Sequence, residues 1–269
     1  MRTRTFKKIR KLVLLPLLVL IPLLAFCWGI TGHRVVAEIA EHHLSKKAKK
    51  ELHKLIGRQT LALWANWPDF IKSDTTHAWD HASRWHYVNI PGNLSKEEFM
   101  TALQKLPGEN LYTQIKALTA DLKDKSLPVE KRQIALRFLI HLIGDLHQPL
   151  HVGREEDQGG NKIAVTWFDR PTNLHSVWDN ALVDDQKYSY TEYCAILDIA
   201  SDEEVEAWQN SSLEEWFYDS YTLANKVYAS VPADGKLSYR YNYIFQKDLD
   251  QQLLKGGLRL AALLNDALK

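Results

Sequence analysis

Pro128 opens a segment, VEKRQIALRFLIHLIGDLHQ, that runs to Pro149 in a helical pattern. Proline suits the first turn of a helix and, lacking an amide proton, ends one further on. From Ile134 to Ile143 the segment is apolar almost all round. A helix of that kind has no face for water and must lie at the centre of a larger fold. Yet it carries His141 and Asp145, four residues apart and so on one face. An unpaired charge buried there would cost on the order of several kcal/mol. His151 follows just past Pro149, and a second pair at the same spacing, His175 and Asp179, lies in LHSVWD. An intrahelical hydrogen bond explains a single His/Asp pair. Two pairs and His151 within 39 residues point instead to nitrogen and oxygen ligands of zinc, fixed on rigid helices.

Helical periodicity dominates the rest of the chain. The stretch from Gly32 to Leu55 places Val36, Ile39, Ala40 and Leu44 on one stripe, with Gly57 as a stop. Alternation of Ile163, Val165 and Trp167 predicts a strand or hairpin arm, and Asn173 is placed to cap a helix through Trp178. Ser201 begins another helical stretch, and Tyr243 to Leu268 is helical in pattern. Residues 184–269 show no convergent polar chemistry and read as packing helices. The expected fold is mostly α: a single-domain bundle of helices around a metal cleft, with a short β-hairpin.

The first 27 residues read differently. Arg2, Arg4, Lys7, Lys8, Arg10 and Lys11 precede an apolar run from Leu12 to Phe26, and Ala25 and Cys27 are small residues suited to a cleavage point before Trp28. This is the pattern of a secretory signal peptide. The run of 15 residues falls short of the roughly 20 needed to cross a bilayer, and Phe26 is bulky where a lipoprotein signal wants a small residue. Cleavage would leave one domain, residues 28–269, secreted or periplasmic, with no stable membrane association. The whole chain is formally +1, with 34 Lys and Arg against 33 Asp and Glu. Six of those basic residues and none of the acidic ones lie before Trp28, so the mature chain is −5. A net acidic surface excludes general electrostatic attraction to polyanions. Cys194 is then the one cysteine left, which excludes an intrachain disulfide and reads as a buried small hydrophobe.

His33, Asp69 in WPDF and His86 in RWHYVN are further candidates, weak singly and stronger together, since a polynuclear site needs about this many ligands. Cleavage would add the free amine of Trp28, able to bind metal once deprotonated. His42, His43 and His53 lie in or near a charged helical segment and read as solvated; His77 and His81 flank a loop, and His147 reads as supporting a helix end. Asn93 and Asn210 head N-x-Ser sequons.

In order, WGITGH at Trp28, WPD at Asp69, WHYVN at His86, HLIGDLHQPLH from His141, GGN at Asn161 and HSVWD from His175 resemble the zinc-dependent single-strand-specific nucleases, or type I nucleases and 3'-nucleotidases, distant relatives of zinc-dependent phospholipase C. The resemblance covers nearly the whole mature chain. It implies three Zn2+ per chain: one on Asp69, His86, His141 and Asp145, a second on the Trp28 amine and carbonyl, His33 and the bridging Asp145, and a third on His151, His175 and Asp179. It implies a metal-dependent hydrolase that cuts single-stranded DNA and RNA through a zinc-bridging hydroxide and gives 5'-phosphorylated products. Catalytic roles fall to Asp69, which would orient the water, and Lys72, which would stabilise phosphoryl oxygens. Tyr87 matches a base-stacking position and Asn161 a substrate-contacting one. Asn89 departs from the aspartate of fungal members, which leaves base preference open. Substrates would be single strands and 3'-nucleotides, and a monomer is expected. Phospholipase C is the alternative. The carboxylate at Asp179 and the 24-residue step from His151 to His175 lie closer to the nuclease pattern.

Overall fold

The computed structural model describes residues 28–269, so the expected signal segment lies outside the described residues. Nine helices of at least eight residues are present among the described residues: α1 Ile30–His42, α2 Lys46–Ile56, α3 Lys96–Gln104, α4 Leu111–Lys123, α5 Val129–His147, α6 Tyr190–Leu197, α7 Asp202–Gln209, α8 Leu213–Ala229 and α9 Tyr239–Ala267. The chain is mostly α, as its periodicity predicts. The apolar helix expected after Pro128 is α5, and every residue from Phe138 to His147 is buried. Helices α1, α4, α8 and α9 pack around it, and the buried apolar side chains join in one continuous core. Each fully buried Leu, Ile or Phe contributes about 1.5–3 kcal/mol relative to exposure. Closeness of α1 to α9 depends on Gly257, where a methyl group would stand 2.5 Å from Ile39.

Local signals place the helix starts. Ser95, Ser189, Ser201 and Ser212 each accept the amide of a Glu three residues on, whose carboxylate accepts the Ser amide in return. These caps also divide two stretches that read as continuous. The run from Gly32 to Leu55 is two helices, because the Ser45 hydroxyl accepts the Ala48 amide at 3.1 Å while Asn265 of α9 accepts the Ser45 amide at 2.7 Å. The stretch from Ser201 likewise divides into α7 and α8 at the second cap, Ser212.

Strands are few. Ala164–Trp167 (β3) and Arg170–Asn173 (β4) form the expected hairpin, and Lys236–Leu237 (β5) adds to β3 in parallel. Val88–Asn89 (β1) and Val152–Gly153 (β2) pair in parallel, Val88 opposite Val152. This short ladder fixes the segment after His86 against the segment after His151.

Candidate metal centre

Asp145, fully buried on α5, presents a different pair of imidazoles to each carboxylate oxygen. Oδ2 lies 2.9 Å from His86 Nδ1 and 3.3 Å from His141 Nε2. Oδ1 lies 3.4 Å from His33 Nε2 and 3.5 Å from His151 Nδ1. Asp69 Oδ1 joins the first set, 3.6 Å from His141 Nε2 and 4.0 Å from His86 Nδ1. A neighbouring set has His175 Nε2 3.1 Å from Asp179 Oδ2 and His151 Nε2 3.5 Å from Asp179 Oδ1.

Sequence explains the convergence. The four-residue spacing puts His141 beside Asp145 and His175 beside Asp179. Pro149 ends α5, and a turn of 3₁₀ helix at Pro149–His151 carries His151 back toward the cluster. His33 stands in the first turn of α1, packed against Gly144, where a methyl group would lie 2.5 Å from His33 Nδ1. Asn173 caps the helical turn at Leu174–Ser176, which continues as a π-helical turn holding Asp179. The Gly29 amide donates to the Asp179 carbonyl at 2.6 Å and ties the start of the described chain to this third set.

Backbone carbonyls orient the rings. His141 Nδ1 donates to Ala65 O at 2.7 Å, His151 Nδ1 to His86 O at 2.7 Å and His175 Nδ1 to Gly159 O at 2.6 Å. A carbonyl only accepts, so each ring keeps a proton on Nδ1 and turns Nε2 toward a carboxylate. Metal-binding histidines are held in this way. Burial lowers His86 and takes His141 down to about 3, so both are neutral near pH 7. Burial also opposes ionisation of Asp145 and Asp179, but the surrounding imidazoles hold both below the ordinary carboxylate range. For His151, burial opposes the charge, yet Asp145 and Asp179 outweigh it and bring the pKa up to about 9. The carboxylates thus demand positive charge among them.

This donor set fits a group of divalent cations. A tetrahedral zinc with N and O ligands at about 2.0–2.1 Å separates them by about 3.3–3.4 Å, close to most of the distances above. His33 Nε2, Asp145 Oδ1, His151 Nε2 and Asp179 Oδ2 are buried without a hydrogen bond among the described residues. Each such atom costs about 1–3 kcal/mol unless an ion satisfies it.

The family model of the S1/P1 nucleases matches residues 28–269. The chain belongs to the S1/P1 nuclease family. Endonuclease 4 of Arabidopsis thaliana is 31% identical, over 90% of this chain and 89% of its own length. Nuclease P1 of Penicillium citrinum is 28% identical, over 89% and 97%. Nuclease S1 of Aspergillus oryzae is 26% identical, over 90% and 92%. As an S1/P1 family member the chain is a hydrolase of phosphodiester bonds, and nucleases of this family are in general zinc enzymes.

In this S1/P1 nuclease a cleft of about 640 Å³ opens over the cluster, lined by Lys72, His86, Tyr87, Asn89, His151, Asn161 and His175 among others. A second cleft adjoins it and shares Tyr87, Asn89 and Glu155, so the groove continues past Tyr87. Lys72 Nζ donates to Asp69 Oδ1 at 2.7 Å. Burial opposes the Asp69 charge, and His141 and Lys72 outweigh it, lowering the pKa. Tyr87 is 42% exposed. Asn161 spends one amide proton on Gln158 O at 2.9 Å. Trp28 is buried.

Two outcomes depart from expectation. Gln148 was missed: its Nε2 donates to Asp179 Oδ1 and its Oε1 accepts the Leu150 amide at 2.6 Å, fixing the third set. The signal, a polar side chain between the signature's His147 and Pro149, is visible only in hindsight. His147 supports the end of α5 as expected and stays out of the cluster, donating from Nδ1 to Ile143 O at 2.8 Å while Nε2 faces Arg259 Nη1 at 3.1 Å. Residues 184–269 do hold convergent polar groups, for Cys194 and Asp198 meet His42 and His43 across α1 and α6.

Proposed function

We propose that the mature chain is a secreted, zinc-dependent endonuclease and 3'-nucleotidase that cuts single-stranded DNA and RNA to 5'-phosphorylated products. One observation carries this reading: Asp145 divides its two oxygens between separate sets of imidazoles, beside a third His/Asp set. Asp69, His86, His141 and Asp145 would hold one zinc, Trp28 with His33 and Asp145 a second, and His151, His175 and Asp179 a third. Bound there, zinc supplies Lewis acidity that acidifies water and neutralises phosphodiester charge, which lets a net acidic protein hold a polyanion.

The protein's own groups do the rest. Asp69, kept ionised, accepts a hydrogen bond from the attacking water and so aims it at phosphorus. Lys72 brings a cation to the same cleft for the charge that gathers on the phosphoryl oxygens. Tyr87 offers an exposed ring for a base to stack on; a paired base would first have to leave its helix at a cost of a few kcal/mol, which selects single strands. Asn89 offers both a donor and an acceptor to a base edge, and Asn161 sits on the same wall.

Export is supported by the basic-then-apolar start of the sequence and by a family match that begins at residue 28. Among the described residues no helix is long and apolar enough to cross a membrane. The named relatives are nucleases and endonucleases, which does not favour phospholipase C. The test is incubation of the mature protein with single-stranded DNA, RNA, duplex DNA and 3'-AMP, with and without chelator. Chelator-sensitive release of 5'-phosphorylated nucleotides from single strands, and of phosphate from 3'-AMP, is expected. Hydrolysis of a choline phospholipid with no nucleotide release would overturn the proposal.

A further inference from the structure

Where α1 and α6 end side by side, three potential ligands meet at the end of α1 opposite His33. His42 closes α1, and Cys194 and Asp198 stand four residues apart on α6 and its cap. Their spacing repeats that of His141 and Asp145. Cys194 Sγ is 3.7 Å from His42 Nδ1, and His42 Nδ1 is 3.2 Å from Asp198 Oδ2. A tetrahedral zinc with sulfur at about 2.3 Å and nitrogen at about 2.0–2.1 Å sets those ligands about 3.5–3.6 Å apart, and N and O about 3.3–3.4 Å apart. We propose that His42 Nδ1, Cys194 Sγ and Asp198 Oδ2 form a further divalent-metal site of the zinc class, which staples α1 to α6.

The surroundings agree. His43 Nε2 donates to Asp198 Oδ1 at 2.7 Å and leaves Oδ2 toward His42, while Glu38 Oε1 lies 3.8 Å from the other ring nitrogen of His42. An imidazole that holds a ligating carboxylate in this way is a usual support of a metal site, and Glu38 adds negative charge beyond hydrogen-bond reach. Two helix C-termini, each carrying partial negative charge, converge here with two carboxylates. Among the described residues, the ion pairs of Glu38 and Asp198 run to His42 and His43. Burial, with Asp198 and Glu38, pushes the Cys194 thiol up to about 12. Metal uptake therefore releases that proton to solvent as the sulfur–metal bond forms. A thiolate with an imidazole and a carboxylate suits zinc, not magnesium or calcium. His33 and His42 are nine residues apart on α1, about 13 Å along its axis, so this site is separate from the cluster in the cleft.

Cys194 is the one cysteine after residue 27, so a thiolate-to-metal signal can come from nowhere else in the mature chain. The experiment brings the reduced mature protein to three zinc per chain, enough to fill the cleft and leave this site open, then adds Co2+ and follows thiolate-to-cobalt absorption in the near ultraviolet. A band saturating at about one equivalent is expected, absent in Cys194→Ser and needing at least about tenfold more Co2+ in His42→Ala, with nuclease activity kept in both. His42 is 52% exposed, so its variant tests the proposal even where Cys194→Ser fails to fold. No band in the parent protein, or an unchanged band in His42→Ala, would overturn it.

Discussion

The ring of His33 stacks on the ring of His141, centroids 3.8 Å apart and 15° from parallel. Asp145 reaches both, through different oxygens. One residue comes from the first turn of α1 and the other from the centre of α5, so the contact joins the start of the described chain to its most buried helix. A carboxylate shared between them is the point at which two cations could lie side by side.

Replacing that carboxylate is the sharpest perturbation. Asp145→Asn keeps the shape but removes the charge and one acceptor. Zinc content measured on the purified variant should fall by about two per chain, and kcat/KM on single-stranded DNA by more than about 100-fold, beyond the 10–100-fold typical of a group that only supports a ligand.

Trp28 makes a prediction about where the mature chain starts. A protein beginning at Trp28 offers that residue's own amine, whereas a single extra glycine ties the Trp28 nitrogen up in a peptide bond. The extended form should lose about one zinc and most of its nuclease activity. Equal activity of the two forms would remove Trp28 from the ligand set.

Much of this site was legible as spacing. His141 and Asp145, and His175 and Asp179, declare themselves because four residues bring side chains to one helix face. What holds them does not. The carbonyls of Ala65, His86 and Gly159 that fix three imidazoles belong to positions whose side chains say nothing about it, and the β1–β2 ladder joins stretches more than sixty residues apart. Local periodicity also misses a break imposed from elsewhere: α1 and α2 separate at Ser45 in part because Asn265 binds its amide. Cys194 read as a buried hydrophobe because its partners, His42 and His43, lie about 150 residues away, although its four-residue spacing to Asp198 was in plain view.

Tyr87 separates substrate binding from chemistry. It is 42% exposed at the mouth of the cleft, so Tyr87→Ala should leave the melting temperature within a degree or two. Loss of one stacked base, about 1–3 kcal/mol, should raise KM for single-stranded DNA roughly 5- to 150-fold. Steady-state kinetics would show it, and an unchanged KM would take Tyr87 out of substrate binding.

Stability should depend on pH through Asp219. Arg259 is 2% exposed, and its Nη2 donates to Asp219 Oδ2 at 2.6 Å. Burial opposes the Asp219 charge, but Arg259 outweighs it, so the folded pKa lies below the unfolded one. The pair's contribution is therefore present above about pH 4 and lost as pH falls through the folded value. Asp219→Asn should cost about 1–3 kcal/mol at pH 7, less than a fully buried pair because Asp219 is 36% exposed. Urea unfolding of both proteins at matched pH should show the difference shrinking below about pH 4; a difference independent of pH would contradict the assignment.

Three ligand sets, the first two sharing Asp145, make up the proposed centre. Anomalous X-ray diffraction at the zinc edge, on crystals of the mature protein beginning at Trp28, tests it most directly. Peaks are predicted at Asp69, His86 and His141, between His33 and Asp145, and among His151, His175 and Asp179. A missing peak at any of these three positions would contradict it.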